Sequence, residues 1–134
     1  MKTISKLKKE LDKWFSLFIR LRDADDLGFV KCFTSNRYYH YKNIHAGHFM
    51  SRKHLSTRWC DTNVQPQSIG DNLFGQGEQY KFSIALDSKY GEGTSEELEL
   101  LARTIMKVSR IDYEEKISYY KELVKKLKKD KGIE

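Results

Sequence analysis

Cysteine, proline and long apolar runs are scarce in this 134-residue chain, and each shortage excludes something. Two cysteines, Cys32 and Cys60, cannot build a disulfide framework, and a cytosol would keep both reduced. The single proline, Pro66, belongs at a strand edge or end, because it has no ladder hydrogen to donate. No apolar run is long enough for a membrane span, and the opening "MKTISKLKKELDKWFSLF" is charged throughout, unlike a signal peptide. No membrane association and a cytoplasmic location are therefore the expectation. Hydrophobic residues make up 39%, enough for one modest core and too few for a membrane protein. What is abundant is positive charge. A net charge of +6 and a pI near 9.2 favour an acidic partner, nucleic acid first.

Helical periodicity dominates both ends. Ile4, Leu7, Leu11, Trp14, Phe18 and Leu21 are three and four apart, which predicts an amphipathic helix capped by Thr3 or Ser5. Its polar face carries Lys6, Lys9, Asp12, Lys13 and Arg20, and Gly28 ends the pattern. "FVKCF" and "RYYHY", separated by "TSN", read as a β-hairpin, and "HAGHF" and "NVQPQ" as further short strands. Helix signals return in "EQYKFSIALDSKYG", stopped by Gly91. "TSEELELLARTIMKVS" predicts a helix with a Thr94/Glu97 capping box and an apolar face of Leu98, Leu101, Ile105 and Val108. The last helix shows Tyr113, Ile117, Tyr120, Val124 and Leu127, with Ser109 or Asp112 as cap and a solvated, fraying lysine-rich end. One α+β domain is expected over 1–134: an N-terminal helix in 1–27, a small β-rich core in 28–91 and a helical extension in 92–134.

The stretch "NIHAGHFMSRKHLSTRWCDTNVQPQSIGDN" gathers polar residues that make poor core and suit a site. His45 and His48 flank Ala46 and Gly47, two small residues that permit a tight turn and a close approach. Imidazole can ligate a divalent metal or act as a base near neutral pH. Amide oxygens of Asn63 or Asn72 can ligate a hard metal or fix an imidazole tautomer. Arg52, Lys53 and Arg58 supply phosphate contacts. Metal, base and cations together suit phosphodiester hydrolysis. The bland reading of the same residues is a solvated polar loop, with His40 and His54 simply exposed.

"AGHFMSR", "TRW", "NVQPQSIGDN" and "GQGEQYKF…LDSKYG" resemble the phage NinG/Rap recombination proteins, within the wider HNH or His-Me finger nuclease class, from about Gly28 to Gly91 and weakly beyond. The resemblance implies a ββα-metal core, as in the related phage resolvase endonuclease VII. It places His48 at the position of the base, Asn63 at that of the residue orienting it, and Asn72 at a metal-holding position. His45 stands where the family usually has Asp, and Gln65 where some relatives carry His. A single Mg²⁺ or Mn²⁺ site would therefore use Asn72 and His45. The family's structural-zinc quartet corresponds here to Cys32, Ser35, Ser68 and Asp71, with one thiolate left. No structural zinc is expected, and packing of Phe33, Tyr38, Tyr39, Tyr41 and Trp59 would hold the hairpin instead.

The resemblance thus implies a metal-dependent DNA endonuclease of phage recombination, acting on DNA that is branched or part of a recombination intermediate, in the cytoplasm of a host bacterium. The alternatives are a catalytically inactive DNA-binding protein on a degenerate HNH scaffold and a helical interaction protein. Oligomeric state, a dimer included, is left open.

Overall fold

A computed structural model describes all residues, 1–134. The first helix, α1 (Ile4–Arg22), begins where Thr3 accepts a hydrogen bond from the Lys6 amide. Its buried residues are Leu7, Leu11, Phe15, Phe18, Ile19 and Leu21, so the apolar stripe is wider than the spacing predicted. Phe15 and Ile19 join it, while Ile4 is exposed and Trp14 only half-buried. The cause is tertiary: α1 lies between the last helix on one side and strands on the other, so it must bury two adjoining faces.

Two antiparallel ribbons follow. Strands β1 (Phe29–Lys31) and β2 (Tyr38–His40) pair with Val30 opposite Tyr39. Strands β3 (His45–His48) and β4 (Val64–Gln67) pair with His45 opposite Gln67 and His48 opposite Val64. Pro66 is tolerated within β4 because a two-stranded ribbon has only edge strands, and its carbonyl accepts from the Phe33 amide. Between β3 and β4 the chain makes one helical turn, α2 (Leu55–Arg58), where the sequence suggested only loop.

A wide π-helical turn, Gly70–Phe74, leads into α3 (Gln79–Tyr90), which buries Phe82 and Leu86 and stops at Gly91 as expected. Helix α4 (Thr94–Ala102) corrects the sequence reading twice. Gly93 rather than Thr94 is the cap, and the Thr94 hydroxyl donates to the Gly91 carbonyl. The helix also ends before Ile105 and Val108, leaving Ile105 exposed, because the Thr104 hydroxyl and amide both bind the Leu101 carbonyl and close the last turn. Helix α5 (Arg110–Lys131) opens with a Ser109/Asp112 capping box, so both candidate caps act together. Its lysine-rich end is no loose tail. Lys131 donates to the carbonyls of Arg22 and Ala24, tying the end of α5 to that of α1.

The main core lies between α1, α5 and the strands, with Leu11, Phe15, Val30, Val64, Tyr113 and Tyr120 among its members. A smaller one joins Phe49, Phe82, Leu86 and Leu98, with Phe33 against it. Of the aromatics expected to hold the hairpin, Tyr41 and Trp59 are buried, and Phe33 and Tyr39 pack against a core. Tyr38 does not: it sits opposite Lys31 on the outer face of the ribbon and is exposed. His40 is half-buried against Phe29 and Tyr41, so it is not the free surface group the bland reading assumed.

Gly47 makes no turn; it lies within β3, and the close approach it permits is that of a side chain. A Cβ there would stand 2.1 Å from Gln67 Oε1. Gly47→Ala must push Gln67 off its bonds to the Gly77 carbonyl and Thr34 hydroxyl. A loss of about 1–3 kcal/mol is expected from such overpacking, read as a lower urea midpoint with an unchanged slope.

Candidate functional site

A cleft of about 820 Å³ opens between α1, β3 and the Gly70–Phe74 turn. His45, His48 and Asn72 all line it. The β3–β4 ribbon sets the histidines at opposite ends of one strand, and the wide turn after β4 carries Asn72 back over the first of them. The Asn72 amide nitrogen lies 3.0 Å from His45 Nδ1. The amide donates, so His45 Nδ1 holds a lone pair.

His48 is fixed differently. Its Nε2 is 2.9 Å from the backbone carbonyl of Arg58. A carbonyl can only accept, so Nε2 carries the proton and Nδ1 the lone pair of the neutral ring. Burial lowers the His48 pKa from its ordinary value of 6.5; the Arg58 carbonyl bond opposes this, and the nearby Arg52 charge adds to it. The neutral base form therefore dominates at pH 7. The unfolded chain takes up a proton near pH 6.5 and the folded one only at lower pH, so unfolding binds protons in between. Folding stability should hold above about pH 6.5 and fall as pH drops through the folded pKa. In His48→Gln this component of the pH dependence should vanish from denaturation curves taken across that range.

Asn63 makes no hydrogen bond to His48, contrary to the direct contact an orienting residue suggests. Its side chain is fully buried. Its Oδ1 accepts from the Met50 amide at 2.8 Å, and its Nδ2 donates to the carbonyls of Met50 and Thr57 at 3.1 and 3.0 Å. Asn63 thereby clamps the loop that ends in Arg58, whose carbonyl holds His48. Orientation is transmitted through the backbone.

Arg58 also departs from expectation. Its guanidinium forms a bidentate pair with Asp12 of α1, at 3.2 and 2.6 Å, and is largely buried. Trp59 Nε1 donates to the same carboxylate at 2.9 Å. The side chain is therefore committed to docking the loop on α1 and is not free for phosphate. Arg52, by contrast, is 65% exposed and only 4.0 Å from Asp12, and Lys53 is exposed. Sequence reasoning missed Arg20 and Lys42, two more cations on the cleft wall. The available signal was the four-residue spacing of Asp12, Ser16 and Arg20, which puts them on one stripe of α1 facing the cleft. Gln65 does not reach the cleft; it is buried, bonded to Arg22, Thr62 and Tyr90.

The residues matching the zinc quartet do converge around Cys32. The Ser68 amide donates to its sulfur at 3.2 Å, and Asp71 Oδ2 lies 3.9 Å away. Thr34 donates to Asp71 at 2.7 Å, and the Asp71 amide to Ser68 Oγ at 3.1 Å. Burial raises the Cys32 pKa, but the hydrogen bonds from Ser35, Ser68 and Thr34 together outweigh it, and the net direction is down. Direct hydrogen bonds thus link the hairpin to the turn that presents Asn72.

Fold and site define a class first: a basic α+β protein whose β-β-turn-helix segment presents two histidines and an asparagine in a cation-lined cleft. Residues 1–130 match the family model described as the bacteriophage lambda NinG protein, so the chain belongs to the NinG family of phage recombination-related proteins. No curated protein and no solved structure matches it. No helix is long and apolar enough to cross a membrane.

Proposed function

We propose that the protein is a metal-dependent DNA endonuclease with a His-Me finger core formed by β3, β4 and the turn leading into α3. The observation that carries this is His48: a neutral imidazole, proton fixed on the Arg58 carbonyl, with the Nδ1 lone pair left for a water in a cationic cleft. In this reading Nδ1 takes the proton of an attacking water. Arg52 and Lys53, with Lys42 on the cleft wall, hold the flanking phosphates, while Arg20, bonded to Ser16 and the Tyr41 carbonyl, adds its charge to the wall.

His45 Nδ1 and, with its amide turned, the Asn72 oxygen would be the two groups to hold a divalent ion, since they already meet at 3.0 Å in the cleft. Both are neutral donors, and one is nitrogen, so Mn²⁺ suits the pair better than Mg²⁺. Such an ion would polarise the scissile phosphate and offset charge on the departing oxygen. The lack of a carboxylate beside this pair favours a second reading, a DNA-binding protein that has kept the scaffold and lost cleavage. The test is incubation with four-way junction, duplex and single-stranded DNA in Mg²⁺, Mn²⁺ or EDTA. Cleavage with metal and none in EDTA supports the nuclease. Binding without cleavage in any metal supports the scaffold, and no binding refutes both.

A further inference from the structure

We propose that Leu73 and Phe74 form an apolar wedge at the rim of the cleft that stacks on an unpaired or unstacked base of bound DNA. This deepens the DNA reading above and rests on it. Phe74 is 86% exposed and Leu73 58%; what sets them apart from the chain's other exposed apolar residues is that they are adjacent and stand at the cleft. They directly follow Asn72 on the Gly70–Phe74 turn, and Leu73 itself lines the cleft with His45 and His48.

Hydrogen bonds tie the turn together. The Gly75 amide donates to the Gly70 carbonyl, the Gly77 amide to the Asp71 carbonyl, and the Asp71 side chain is tied to Thr34. Beyond it Gln76, Gly77 and Glu78 all adopt positive φ, at 54°, 80° and 47°. Backbone strain of this kind in two non-glycine residues persists only where the surroundings impose it, and it clusters at functional sites. The Phe74 ring stands in solvent just before this strained segment.

Charge decides the occupant. The wall beside the wedge carries Arg20, Lys42 and Arg52 against one carboxylate, Asp12, which Arg58 already neutralises, and this suits a partner offering phosphates and flat apolar faces together. DNA opened at a branch or kink offers both. A second copy of this basic chain would bring like charges together.

The experiment uses the full chain with Ca²⁺ to prevent turnover, and a four-way DNA junction carrying 2-aminopurine beside the branch point. Binding is read by anisotropy and base unstacking by 2-aminopurine fluorescence. Wild type should raise the fluorescence. Phe74→Ala should bind roughly tenfold to a hundredfold more weakly and lose the rise, whereas Phe74→Tyr, which keeps a ring, should restore binding. Equal affinity and an equal rise in Phe74→Ala would overturn the wedge and leave the DNA reading standing. Failure of wild type to bind any DNA would overturn both. If light scattering shows that Phe74→Ala turns a dimer into a monomer, the patch joins two copies of the chain and the proposal is wrong.

Discussion

His48→Ala should lower DNA cleavage by about 10²- to 10⁴-fold while leaving DNA affinity nearly unchanged. The substitution removes the Nδ1 lone pair that the proposed mechanism uses. It leaves Arg52, Lys53 and Lys42 in place, so phosphate contacts persist. His48 is half-buried and makes one side-chain hydrogen bond, so the structural cost is small. Asn72→Ala should behave differently. On the proposed reading it removes one of the two groups that would hold the ion, so raised Mn²⁺ should restore part of its activity, whereas no metal concentration replaces a missing base. Single-turnover cleavage across a Mn²⁺ series separates the two. A His48→Ala protein that cuts as fast as wild type would show that His48 is not the base.

Asn63→Ala should lose about 3–5 kcal/mol of stability, a large share of what a domain of this size possesses. The site motif alone suggests an effect on rate only, through the orientation of His48. The structure changes that expectation. Truncation strips the Met50 amide and carbonyl of their side-chain partner and leaves the Thr57 carbonyl with the Cys60 amide alone among the loop's donors beyond the helix cap. The Asn63 side chain itself is fully buried, so its loss also leaves a cavity beside these groups. Urea denaturation should therefore show a much lower midpoint, and any activity measured on the folded fraction should fall as the Arg58 carbonyl drifts from His48. An unchanged midpoint would mean that the clamp contributes nothing.

The lines of the sequence that proved most legible are those in which one periodicity reports one burial face. Tyr113, Ile117, Tyr120 and Val124 of α5 are all buried as spaced, because α5 presents a single face to the core. Helix α1 was read less well, because two packed faces hide Phe15 and Ile19 in what looks like a one-sided pattern. The second half of the "TSEELELLARTIMKVS" segment misled because an apolar spacing can exist without a surface to pack on, and a Thr104 hydroxyl competes for the carbonyl that the next turn needs.

The sequence by itself determined the residue types of the site. Two imidazoles, two asparagine amides and a basic loop within one short stretch are a chemical inventory that needs no coordinates. Tertiary structure alone decided the role of each. Arg52 and Arg58 are equivalent cations on paper, yet Asp12, forty-six positions from Arg58, binds one bidentately and leaves the other exposed. Asn63 and Asn72 carry the same amide, yet one is sealed among backbone groups and the other stands over His45 in the cleft. Local spacing carries no information about which distant group will desolvate or neutralise a side chain, and that is what separates an arginine or asparagine locked into the fold from one left open to the cleft.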